Sequence, residues 1–131
     1  WRDKPIFVIK RSQEMLDLLN VKKNRLADPD SDRPQQPTYA QNETRSRKPE
    51  VAVLVGLCTH LSCSPKYRPA IEPQTFDPEW AGGFYCPCHG SKFDLAGRVY
   101  AGVPAPSNLE VPPHYFETDD VIVIGEDGGL V

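Results

Sequence analysis

Two short clusters hold every cysteine of the chain and two of its three histidines: Cys58-Thr59-His60-Leu61-Ser62-Cys63 and Cys86-Pro87-Cys88-His89-Gly90-Ser91. Each combines two sulfurs with one imidazole. Each also follows directly on an apolar, β-prone run, 51–57 (VAVLVGL) in the first case and Gly83-Phe84-Tyr85 in the second. Thiolates and imidazoles at short spacing are the ligand types of metal centres. Two such loops, each set at a strand end, constrain the fold more than any other feature.

Three chemistries use these residue types. Four cysteines can form two structural disulfides, as in small secreted domains, but that leaves the paired histidines without a role. Tetrahedral zinc takes Cys and His. Its sites, however, commonly use CxxC or HxxxH pairs, whereas Cys58 and His60 are separated by one residue, and six candidate ligands exceed what a closed site needs. In the third reading, Cys58-x-His60 and Cys86-x-x-His89 each give one thiolate and one imidazole to a 2Fe–2S cluster, both thiolates on one iron and both imidazoles on the other. A structural zinc module would be colourless and silent in electron paramagnetic resonance, which separates it from the iron reading.

The pattern C-T-H-L-x-C followed by C-P-C-H-G-S closely resembles the Rieske iron–sulfur family, with the likeness running from about Ile6 to Gly125. The resemblance implies one 2Fe–2S cluster ligated by Cys58, His60, Cys86 and His89. Two thiolates neutralise an oxidised diiron core, whereas four leave it negative, so the Rieske type accepts an electron more readily. Its potentials reach about −150 to +300 mV, against about −400 mV for plant-type ferredoxins. Ligating imidazoles can also release a proton when iron draws charge from them, coupling electron to proton. The remaining Cys63 and Cys88 match the loop-tying disulfide of quinol-oxidising members, a bridge worth ~3 kcal/mol on the chain-entropy estimate. Such a bridge argues for an oxidising compartment.

Several neighbours are expected to shape the cluster environment on the same resemblance. Ser91 stands where the family has a serine donating to a cluster sulfur, which raises the potential; its alternative is a turn serine. Phe93 departs from the tyrosine usual in high-potential members and lacks a donor, which places the potential toward the menaquinol-compatible side. Leu61 is expected at an exposed tip. Gly102-Val103-Pro104-Ala105-Pro106 resembles the covering Pro loop, commonly G-P-A-P, with Gly102 and Pro104 in the cluster surroundings and Val103 as a departure. The stretch between His60 and Cys86 is longer than in mitochondrial relatives. Its excess, around 70–82, resembles proteobacterial quinol-oxidising complexes.

The rest of the chain reads as β-rich and loop-rich. Fourteen prolines and nine glycines in 131 residues disfavour a helical bundle. Ile6–Lys10 is a strand signal, and Ser12, Glu14, Met15, Leu16 and Leu19 mark one short capped helix. Residues 22–49 read as a long surface loop pinned at Leu26 and Tyr39. Segments 114–117 and 121–125 form a closing hairpin, and no internal repeat is visible. His114 is expected on a surface or strand, Trp80 and Tyr85 in packing roles, and Arg45, Arg47 and Lys48 on a solvated charged face. The expected fold is all-β and antiparallel: a sandwich or flattened barrel base, with a cluster-binding subdomain at about 56–106 within one domain of 1–131.

A formal net charge of −3 gives no support for nucleic-acid binding. The longest apolar run, 51–57, is far short of the ~20 residues of a membrane helix. The chain opens at Trp1 like a fragment, so an N-terminal membrane helix and hinge are expected in the parent protein. The resemblance implies the iron–sulfur subunit of a proteobacterial cytochrome bc complex, a quinol–cytochrome c reductase whose isolated head is an electron carrier. His60 and His89 would contact ubiquinol, or another quinol, and take up its proton. The electron would pass to a c-type cytochrome, with cytochrome b as the other partner, on the periplasmic side of the bacterial inner membrane. The alternative is a Rieske small subunit of an arsenite oxidase-like enzyme, relaying electrons from a molybdenum centre.

Overall fold

The computed structural model describes residues 1–21 and 23–128, so Lys22, the first residue of the expected long loop, lies outside the described residues. The strand elements are β1 (Ile6–Lys10), β2 (Val51–Val55), β3 (Lys66–Arg68), β4 (Gly83–Cys86), β5 (Ser91–Phe93), β6 (His114–Thr118) and β7 (Val121–Ile124). They pair in three antiparallel sheets, β1-β2, β3-β4-β5 and β6-β7, and among the described residues none closes into a barrel. The all-β antiparallel expectation therefore holds, with small packed sheets making the base.

Local sequence explains most of these elements. In β1 the side chains alternate, with Ile9 buried and Val8 and Lys10 exposed, as a half-buried strand requires. β2 is apolar on both faces and is buried from Ala52 to Val55. Among the described residues the single α-helix, α1, spans Gln13–Leu18, and Ser12 caps it by accepting from Met15 N at 3.2 Å. Its apolar residues Met15 and Leu16, with Leu19, pack on Leu95 and Ala96. The β6-β7 hairpin forms with a register shift between Phe116 and Thr118. β3 was not anticipated: its sequence, KYR, is exposed at every position and carries no apolar pattern.

Phe84, Phe93, Leu54, Val53, Val99 and Leu109 are fully buried. Each such side chain contributes ~1.5–3 kcal/mol relative to exposure. All of these but Val53 share one core cluster with Cys58 and Cys86, so both strand-end cysteines are rooted in the core.

One expectation needs correction. Arg45 is not on a solvated face; it is fully buried. Its guanidinium donates to Ala96 O at 3.1 Å, Gln35 O at 3.3 Å and Gln36 Oε1 at 3.1 Å. Arg11 does the same for Pro49 O and Thr44 O at 2.9 Å and for Leu95 O at 3.0 Å. Irregular backbone buried without a ladder needs donors, and a planar guanidinium supplies five. Burial lowers both arginines to about 10, which leaves them charged at neutral pH. Arg98, also buried, pairs with Asp94 at 2.8 Å and donates to Leu19 O. Segment 23–49 is thus fastened to the 94–98 turn by cations. Leu26 does pin it, packing with Trp80 and Tyr100, and Tyr39 does too, its hydroxyl accepting from His114 N at 3.0 Å.

His114 opens β6, as a strand residue, but it is fully buried rather than at the surface. Its Nδ1 lies 2.8 Å from Pro112 O, an acceptor only, so Nδ1 carries the proton and donates. Nε2 is buried without a partner, and burial lowers the pKa below its ordinary value. Arg47 is half-buried, donating to His114 O at 2.7 Å and standing 3.5 Å over the Tyr39 ring. Lys48 pairs with Asp119 at 3.0 Å.

Candidate metal centre

β2 and β4 deliver the two Cys/His clusters to neighbouring positions, and the loops that follow turn in matching ways. Ser62 N donates to Cys58 O at 2.9 Å, and Gly90 N donates to Cys86 O at 2.9 Å. Both are i→i+4 turns. In both, the closing residue lies in the left-handed region, Ser62 at φ 63° and Gly90 at φ 84°. Different ligand spacings, one residue in the first loop and two in the second, are therefore carried on similar backbones. A further bond from Cys58 N to Cys63 O, 2.7 Å, tightens the first loop.

The donors fall into two pairs. Cys58 and Cys86 are free, each 2% exposed, and they lie in the same core cluster. Burial pushes the Cys86 thiol up, while backbone N–H groups of Cys88 and His89 aimed at its sulfur pull it down. Such N–H donors stabilise a sulfur that carries negative charge. The rings of His60 and His89 meet edge-to-face with centroids 4.8 Å apart. His89 is exposed and His60 half-buried, so the thiols face the core and the imidazoles face outward.

Cys63 and Cys88 form a disulfide across the two loops, with Cα atoms 6.6 Å apart. The sulfurs of Cys63, Cys86 and Cys88 lie within 4.8 Å of one another, but two of the three are consumed by that bridge and offer no thiolate. Among the described residues, no such close group of three includes a histidine. Zinc bonds of about 2.0–2.3 Å would draw a mixed set together around one point. Two buried thiols on one side and two imidazoles on the other instead suit a dinuclear group with two distinct ends.

The surroundings close over this arrangement. Leu61 is 64% exposed beside His60. Ser91 is buried and its Oγ accepts from Ala105 N at 3.0 Å, leaving the hydroxyl proton free to be donated. That bond fastens segment 102–106 to β5. Gly102 takes φ 79° there and Pro104 is exposed. Val103 packs against the main core and the Leu26–Trp80–Tyr100 cluster, which accounts for an apolar residue at that place. Phe93 is buried in the same cluster as both free cysteines. Thr59, passed over in the sequence, donates from Oγ1 to Ser107 O at 2.6 Å and ties the first ligand loop to the end of segment 102–106. A hydroxyl between two candidate ligands was the available signal.

Trp80 and Tyr85 are packing residues, as expected. Trp80 is 2% exposed and donates to Arg68 O at 3.0 Å; Tyr85 stacks on Phe76 with centroids 4.0 Å apart. Asp77, in the same segment, receives Arg25 at 2.7 Å and Lys92 at 3.2 Å. Burial opposes its charge, but Glu79 N–H and these two cations hold its carboxyl below the usual range.

Residues 34–113 match the family described as Rieske [2Fe-2S] domain. The chain is 55% identical over 129 residues to the ubiquinol-cytochrome c reductase iron-sulfur subunit of Allochromatium vinosum, covering 98% of this chain and 62% of that protein. It is 42% identical over 126 residues to the mitochondrial Rieske subunit of the cytochrome b-c1 complex of Theropithecus gelada, and 40% identical to that of Bos taurus. Each of these two alignments covers 95% of this chain and 39% of the relative. The chain therefore spans less than two thirds of the length of these relatives.

Proposed function

Because the chain belongs to the Rieske [2Fe-2S] family, whose cofactor is a 2Fe–2S cluster, we propose that Cys58, His60, Cys86 and His89 are the ligands. On this reading the chain is the electron-carrying head of a quinol–cytochrome c reductase. The observation that carries the assignment is the sorting of four donors into a buried thiol pair and an outward imidazole pair. When bound, the cluster supplies one-electron acceptor chemistry at a potential raised by its two imidazole ligands.

The chain's own residues then have distinct tasks. Cys58 and Cys86 hold the inner end, within a core that excludes water. His60 and His89 present ring nitrogens at the surface, where a quinol hydroxyl can hydrogen-bond and leave its proton. Leu61 shields that end without closing it. The Cys63–Cys88 bridge keeps the two loops in register, and Ser91, Phe93, Gly102 and Pro104 line the surroundings.

Ubiquinol as donor, a c-type cytochrome as acceptor and cytochrome b as neighbour are the reading favoured by the relatives' names, and a place on the periplasmic face of the inner membrane belongs to the same proposal. Those relatives are subunits of quinol-oxidising complexes, so the molybdenum-relay alternative is not taken further. The test is a redox titration followed by electron paramagnetic resonance at several pH values in native membranes. The expected result is a one-electron centre, reduced by a quinol analogue, whose midpoint falls as pH rises. A pH-independent midpoint, or a centre untouched by quinol, overturns the reading.

A further inference from the structure

β5 is short and lies at one edge of its sheet, beside the loop that carries Cys86 and His89. Its side chains alternate. Ser91, opposite Cys86, and Phe93, opposite Phe84, are buried on the core side. Lys92, opposite Tyr85, turns to the other face. The 70–82 stretch covers that face. Phe76 stacks on Tyr85, and the Asp77 carboxylate, 2% exposed, accepts from Lys92 Nζ at 3.2 Å and from Arg25 Nη2 at 2.7 Å.

Asp77 is held firmly from its own side. Its backbone N–H and C=O exchange bonds with Gln74 at 3.1 and 2.9 Å, and its Oδ1 accepts from Glu79 N at 2.9 Å. The two cations it gathers hold backbone in turn. Lys92 O accepts from Tyr100 N at 2.9 Å, and Arg25 O accepts from Ala101 N at 2.7 Å. Both cations also stand over the Tyr100 ring, 5.1 and 4.9 Å from its centroid. Tyr100 and Ala101 lead straight into segment 102–106, where Ser91 Oγ holds Ala105 N. One carboxylate thereby ties the neighbour of Ser91 and the near end of that segment to a single point. A buried ion pair contributes little net stability, because desolvation offsets the attraction. What it supplies here is a fixed place for three chain segments.

We propose that Asp77 is a positioning residue for the 2Fe–2S site. Acting through Lys92, it holds Ser91 where its hydroxyl donates to a cluster sulfur, and it holds segment 102–106 beside it. This rests on the functional reading above. Charge and position predict opposite signs. A carboxylate near the cluster disfavours an added electron, so charge alone has the midpoint rise when Asp77 is neutralised. Loss of positioning weakens the hydrogen bond to sulfur and has the midpoint fall.

The test is a redox titration followed by electron paramagnetic resonance on the full-length protein in native membranes, comparing the parent with Asp77→Asn and with Asp77→Asn/Lys92→Met. The double variant removes one charge of each sign, so it reads position with the net charge unchanged. Both variants are expected to hold the electron ~3-fold less tightly, a midpoint about 30 mV below the parent's. A rise or an unmoved midpoint in Asp77→Asn overturns the inference, and so does a double variant at the parent's value. If Asp77→Asn loads no cluster, the double variant alone decides. A parent protein without a one-electron centre fails the functional reading; a parent centre with unmoved variants fails this inference alone.

Discussion

Phe93 is buried against the cluster that holds both free cysteines, and its ring has no donor. A hydroxyl added there and reaching a ligand sulfur would contribute ~1.5–3 kcal/mol to the reduced state, or about 60–130 mV for one electron. Phe93→Tyr is therefore expected to raise the midpoint by that amount in a redox titration; an unmoved midpoint rejects this account of Phe93. Ser91 has two duties. Ser91→Ala removes the donor available to a sulfur and strands the buried Ala105 N–H, so the midpoint should fall and stability should drop by ~1–3 kcal/mol in denaturant unfolding. Both residues were legible as neighbours of the two clusters through the family resemblance that those clusters carry. Arg45 and His114 were not. A buried arginine serving carbonyls leaves the same one-dimensional trace as a solvated one, and a surface or strand place for His114 does not foretell its full burial.

Strands β1 and β2, helix α1 and the β6-β7 hairpin were visible as alternation, a serine cap and a turn flanked by β-formers. β3 was hidden because its three exposed residues join the sheet through backbone pairing to β4. Segment 23–49 was hidden for a related reason: its order comes from guanidinium groups reaching distant carbonyls, and such pins have no period. Replacing Arg45 by Met should leave the Ala96 carbonyl unpaired and remove the bonds to Gln35 O and Gln36 Oε1, at a cost of ~3 kcal/mol or more, seen as an earlier denaturant midpoint with an unchanged slope. The disulfide acts between elements as well. Cys63→Ala with Cys88→Ala should cost ~3 kcal/mol and, if the loops need that tie, hasten cluster loss, followed by bleaching of the visible spectrum. A double variant that keeps its colour as long as the parent denies the bridge its positioning role.

Acid stability is decided across the whole molecule. His114, held neutral by burial and by the nearby Arg47, binds a proton less readily folded than unfolded. Its contribution is complete above the unfolded value of 6.5 and is lost as pH falls through that value toward the lower folded one. Stability measured between pH 7 and 5 should therefore decline toward acid, and His114→Phe should flatten that slope. An identical slope in the variant places the acid sensitivity of that window elsewhere; Asp77, whose carboxyl is held below 3.8, loses its stabilising charge only as pH falls through that value.

The half-buried ring of His60 and the exposed ring of His89 meet at one tip, while Cys58 and Cys86 are sealed in the core. A molecule so arranged has a single doorway. On the function proposed above, whatever delivers charge and whatever collects it would share that threshold, one after the other.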